Sequence, residues 1–65
     1  MDRQFRFIRL EEVKGLTGLS RSTIYAYIHE GNFPSPVSLG KRSVAWVDQE
    51  VYEWMSGRVQ VSRAS

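Results

Sequence analysis

The sequence has no cysteine and one histidine, His29, so it can build neither a disulfide framework nor a thiolate or multi-histidine metal site. No metal and no cofactor is expected. Its apolar runs are only a few residues long, too short for a membrane span or the apolar core of a secretory leader. A cytoplasmic protein is expected. With one His, no Cys and no phosphate-cradling glycine loop, nothing is available to assemble a nucleophile–base pair, and enzymatic activity is not expected.

What is present suits a small folded unit. The 65 residues are 42% hydrophobic and 12% aromatic, including two Trp, three Tyr and three Phe, enough for one apolar core and too rich for a disordered chain. The expectation is a single domain over residues 1–65 with an ordered core over about 7–58. Net charge is only +2, but the signs are segregated. From Val13 to Val47 the charges are Lys14, Arg21, Lys41 and Arg42 against Glu30 alone, and Asp48, Glu50 and Glu53 cluster just beyond. Such a division predicts a basic working region backed by an acidic support, able to steer one face toward phosphates.

Residues 1–6 lack periodicity and read as a partly frayed arm, after which Phe7 or Ile8 tucks against the core. Leu10, Val13 and Leu16 recur at helical spacing behind Glu11 and Glu12, with Gly18 placed to stop a first helix. The two adjacent carboxylates diverge around the helix and suit the positive end of its dipole, so they read as structural. Ser20 follows as an N-cap able to accept from the amide of Ser22 or Thr23. It opens a second helix with Ile24, Tyr27 and Ile28 on one face and Arg21, Ser22, Tyr25 and His29 on or beside the other, stopped by Gly31. Helix, short glycine-containing turn, helix is the order of a helix-turn-helix.

Pro34 and Pro36 exclude helix from Asn32 to Pro36. Val37-Ser38-Leu39 and Val44-Ala45-Trp46 then alternate around Gly40-Lys41-Arg42-Ser43, which predicts a β-hairpin. A two-residue Gly-Lys loop would set Leu39 opposite Arg42. The preferred four-residue loop sets Leu39 opposite Val44 and Val37 opposite Trp46, with Lys41 and Arg42 at the tip of a small wing. Asp48 is a candidate N-cap for a third helix, in which Val51, Trp54 and Met55 form a buried stripe and Gly57 and Arg58 mark the end. Residues 59–65 read as a tail that need not be ordered. Tyr27, Trp46 and Trp54 fall on apolar stripes, so they are assigned to the core and not to a stacking platform for single-stranded nucleic acid.

Leu19-Ser20-Arg21-Ser22-Thr23-Ile24-Tyr25, Gly31-Asn32-Phe33-Pro34-Ser35-Pro36-Val37, Leu39-Gly40-Lys41-Arg42, Val44-Ala45-Trp46 and then Glu50, Val51 and Trp54 together resemble the AlpA family of phage-type regulators. The resemblance covers roughly residues 7–58 and extends to the MerR and excisionase group. It implies a mainly α winged helix-turn-helix fold with a small β-hairpin, and double-stranded DNA as partner on the bacterial nucleoid. The implied role is a transcriptional regulator of a prophage or integrated element, with excisionase action on attachment-site DNA as the alternative. Many relatives in the MerR group carry a long C-terminal dimerisation helix and an effector domain. Neither follows the third helix here, so no small-molecule effector is expected, and self-association is expected to be weak in solution and cooperative on DNA.

A major groove about 12 Å wide admits one helix, whose N-terminal residues meet base edges. Arg21 stands there, suited to guanine or to a phosphate. Ser22 and Thr23 suit phosphate or base contacts or simple capping, Tyr25 and His29 lie further along the exposed face, and Lys41 and Arg42 suit the backbone beside the helix. An adaptor that binds protein through the same surfaces is the competing reading.

Overall fold

The computed structural model describes residues 4–64. In chain order they form β1 (Phe7–Ile8), α1 (Leu10–Thr17), α2 (Arg21–His29), β2 (Val37–Gly40), β3 (Ser43–Val47) and α3 (Asp48–Ala64). The strands make one antiparallel sheet in the order β1-β3-β2. Three helices around this small sheet give a compact winged-helix-like fold.

Both early helices start and stop where local chemistry dictates. Gly18, at φ 73°, ends α1 and donates its amide to the Lys14 carbonyl at 2.8 Å. The Ser20 side chain accepts the Thr23 amide at 3.1 Å and caps α2. At the other end of α2, Gly31 at φ 77° lets its own amide reach the Ile28 carbonyl and the Asn32 amide reach that of Tyr27. That pair of bonds is a Schellman motif, which satisfies carbonyls a helix end otherwise leaves open.

The core gathers one residue from each element except β2, together with Phe33 from the loop after α2: Ile8, Val13, Ile24, Phe33, Trp46 and Val51 are all buried. Leu10, Leu16, Tyr25, Tyr27, Ile28, Trp54 and Met55 close around them. Ile8 is the residue of the first segment that tucks in, while Phe7 stays 47% exposed. The partly frayed arm expected over residues 1–6 is not loose over its described part. Residues 1–3 lie outside the described residues, and the chain from Gln4 onward is held. The Arg6 amide donates to Asp48 Oδ1 and the Asp48 amide to the Arg6 carbonyl, each at 3.0 Å. Gln49 Nε2 donates to the Gln4 carbonyl at 2.6 Å. Arg6 also donates to Glu12 at 2.6 Å, and that bond, then the charge of Glu12, raises the guanidinium pKa above its ordinary value.

Two expectations need correction. The hairpin follows neither register drawn from the sequence: Val37 lies opposite Ala45, Ser38 opposite Val44 and Gly40 opposite Ser43, with an irregularity between Ser38 and Gly40. Leu39 is the extra residue of a bulge, and only Lys41 and Arg42 remain in the turn. A bulge takes up one residue, so the pairing shifts there and Trp46 can keep its place beside Ile8 on the other strand. The second correction concerns α3, which runs through Gly57 and on to Ala64, where an end at Gly57–Arg58 and a loose tail were expected. Glycine inside a helix costs about 1 kcal/mol against alanine but does not break it, and Gly57 has no left-handed φ here. Ser65 lies outside the described residues.

Trp46 is fully buried and donates its indole Nε1–H to the Pro34 carbonyl at 3.0 Å. Trp46→Phe should therefore cost about 1–3 kcal/mol through the orphaned carbonyl, and Trp46→Ala about 3–5 kcal/mol. Urea denaturation followed by circular dichroism measures both, and equal stability of the Phe variant and the parent would remove this bond from the account.

Candidate nucleic-acid interface

The cap at Ser20 decides which groups at the start of α2 are free. Its Oγ donates to Thr23 Oγ1 at 3.0 Å while accepting the Thr23 amide, so Thr23 is committed to the helix start and half-buried. Ser22 is exposed. Arg21, the first residue of α2, is exposed, and its guanidinium carbon lies 5.6 Å from the centre of the Tyr25 ring. Residues four apart share a helix face, so this stacking holds the long Arg21 side chain over its own helix and limits the rotamers it must surrender on binding.

Tyr25 is less free than its place on the helix wheel suggested. It is half-buried, joins the atoms closing the core, and meets Trp46 edge to face at 6.2 Å. One side of the ring supports Arg21 and another contacts β3, which couples the start of α2 to the wing strand. His29 ends α2 and is exposed, two turns from Arg21. Tyr27 and Trp54 are turned inward against each other at 6.2 Å, and with Trp46 they form part of the core, as their spacing indicated.

Lys41 and Arg42 occupy the hairpin turn and both are exposed. Arg42 has φ 58°, the one left-handed non-glycine residue among those described. That conformation costs an L side chain on the order of 1 kcal/mol and would suit glycine or asparagine better.

Arg9 escaped the sequence reading. It precedes α1 in an extended conformation and donates from Nη1 to Ser43 Oγ at 3.4 Å, at the turn end of β3. Its place depends on β1 pairing with β3, nearly forty residues away in the chain, so no local pattern pointed to it. Lys14, counted above among the basic working residues, faces Glu11 at 3.5 Å. Among the described residues, Arg9, Arg21, Lys41 and Arg42 have no ion pair. These are the open cations of the helix-turn-helix and hairpin. No group of three or more His, Cys, Asp or Glu stands close enough to hold a metal ion among the described residues, and none of the described helices is long and apolar enough to cross a membrane.

A capped second helix with an open basic start, set beside a hairpin tipped by two cations, defines a winged helix-turn-helix protein. The family described as "Prophage CP4-57 regulatory protein (AlpA)" matches residues 6–59, from the start of the clamped arm into α3, and the chain belongs to that family. It is 57% identical over 56 residues to the uncharacterized protein ORF88 of Enterobacteria phage P4, a match covering 86% of this chain and 64% of the relative. It is 36% identical over 62 residues to the DNA-binding transcriptional activator AlpA of Escherichia coli (strain K12), covering 86% of this chain and 89% of that protein. The chain thus spans a little under two thirds of the phage relative and most of the bacterial one.

The cap is testable apart from any ligand. Ser20→Ala should lower stability by about 1 kcal/mol, read as a shift in the urea midpoint at constant slope. An unchanged midpoint would show that the Ser20 and Thr23 contacts contribute nothing net.

Proposed function

We propose that this chain is a sequence-specific double-stranded DNA-binding regulator of transcription that lays α2 in the major groove and rests its wing beside the DNA backbone. The observation that carries the reading is the pairing of an exposed, stacked Arg21 at the open end of α2 with the unpaired Lys41 and Arg42 at the hairpin tip. A helix of nine residues is about 14 Å long and 10–12 Å across with its side chains, a fit to a groove about 12 Å wide. Its N-terminal amides and dipole favour a phosphate at the same end. Family membership and the bacterial relative, a DNA-binding transcriptional activator, support the same conclusion.

In this reading Arg21 meets a guanine edge or a phosphate, Ser22 adds a short hydroxyl beside it, and Thr23 holds the Ser20 cap of the helix that carries them. Tyr25 acts by holding Arg21, and His29 reaches the groove wall further along. Lys41 and Arg42 neutralise phosphates, with Arg9 beside Ser43, next to the turn, as a further cation. The protein is a regulator of a prophage or integrated element and catalyses no reaction. Mapping of bound sites in the source genome tests the role: promoter sites are expected, and occupancy confined to attachment-site arms would make it an excisionase instead.

Arg21→Ala should weaken the cognate complex by about 1–3 kcal/mol if the side chain reads a base, with an unchanged melting curve because the residue is exposed. Fluorescence anisotropy on the mapped site measures it, and parental affinity would remove Arg21 from the interface.

Replacing Lys41 and Arg42 together by Ala should lower the magnitude of the log K against log salt slope by about 1.8, at about 0.9 per phosphate contact. Affinity should fall alike for specific and random duplexes, since positioning contacts act on every site. Titrations at several salt concentrations decide the point: an unchanged slope would take the wing off the DNA, and an altered consensus would make it a reader of bases.

A further inference from the structure

An open groove of about 760 Å³ lies between the loop after α2 and the first turns of α3. Its apolar floor contains Phe33, buried and edge-on to the Trp54 ring at 4.8 Å, flanked by Pro34 and Val37. Glu50 and Glu53 stand along the α3 side. The same two carboxylates border a second, more polar hollow of about 350 Å³ that includes Phe5, Val47 and Gln49, so they form an acidic ridge between the two.

These carboxylates differ from the others in the fold. Glu11, Glu12 and Asp48 each face a cation and Glu30 accepts from Asn32 Nδ2 at 3.3 Å, whereas the Glu50 and Glu53 side chains have no ion pair or hydrogen bond to any described residue. Three residues apart on a helix, they are neighbours whose like charges repel. The cation of α3 nearest to the groove floor, Arg58, lies over the Trp54 ring at 5.8 Å and makes no ion pair with either. The groove is also remote from Arg21 and from the hairpin tip. It opens at Gly31, about 15 Å along the helix axis from Arg21, and at Val37, the end of β2 away from the hairpin tip.

We propose that this groove docks a basic, apolar-anchored segment of a partner protein. An aliphatic or aromatic side chain of the partner sits on the Phe33 and Trp54 surface, and Lys or Arg on either side of it meet Glu50 and Glu53. Charge complementarity selects this occupant. Nucleic acid is repelled by the ridge, and so open a trough encloses too little of a small molecule. A symmetric pairing of two copies through this patch would bring four carboxylates together.

The test is selection of random peptides of about a dozen residues on the immobilised full chain, followed by anisotropy titration of the winners. Selected peptides should carry Lys or Arg around an aliphatic or aromatic residue. The double variant E50Q/E53Q should bind them about five- to tenfold more weakly, from two exposed charge pairs. Val37→Lys, which sets a cation at the groove wall, should weaken them to a similar extent. Both variants should melt like the parent, and E50Q/E53Q should hold duplex DNA no less tightly. Failure to enrich any peptide, enrichment of neutral or acidic ones, or affinities that neither variant changes would overturn the proposal. So would sedimentation showing a dimer of the chain alone that E50Q/E53Q dissolves, since the groove would then belong to a second copy. The peptide readout uses no DNA, so a parent protein that bound basic peptides but retained no duplex would fail the DNA-binding reading alone.

Discussion

The buried indole of Trp46 is the contact through which the separate parts of this fold constrain one another. Its backbone lies on the central strand opposite Ile8 of β1, its Nε1 bonds the Pro34 carbonyl in the loop after α2, and its ring edge meets Tyr25 on α2. An indole that is fully buried must satisfy its one donor and fill its volume without a gap. Those two demands fix the distance between helix and sheet, and with it the position of the wing relative to the helix start.

That constraint reaches the surface through Tyr25. One ring touches the core through Trp46 and carries the Arg21 guanidinium at 5.6 Å, so a packing contact orients a charged side chain. Long cationic side chains lose rotamer entropy when they bind, and one already restrained by an aromatic face loses less. The left-handed Arg42 works in the opposite sense, holding a cation at the turn at some cost in backbone energy.

Acidic side chains are placed so that they leave the basic surface unopposed. Glu12 and Asp48 hold Arg6, Glu11 faces Lys14, and Asp48 also accepts backbone amides where β3 passes into α3. With these anions spent on the arm and the first helix, the cations at the start of α2 and on the hairpin keep their charge available to phosphates. Glu50 and Glu53 lie instead along the groove between the loop after α2 and α3, unpaired by any cation of the described residues.

Much of this was legible in the residue order. The Ser20 cap, the left-handed stops at Gly18 and Gly31, the inward stripes that carry Val13, Ile24 and Val51 on their three helices, and the exposed position of Arg21 follow from rules that span about four residues, the reach of one helical turn. The covalent backbone keeps such neighbours together whatever the rest of the chain does. The bulge at Leu39, the strand formed by Phe7 and Ile8, the clamp from Gln4 to Asp48, the placement of Arg9 beside Ser43 and the inward turn of Tyr25 were not legible. Each depends on segments far apart in sequence, and on which of several nearly equal local arrangements lets Trp46 and Ile8 be buried together. The sequence by itself therefore determined the helices around the site and the charges they carry. Only the tertiary structure decided the hairpin register, the second role of Tyr25 and the acidic groove behind it, because shared burial chooses among alternatives that local energies leave within about 1 kcal/mol of one another.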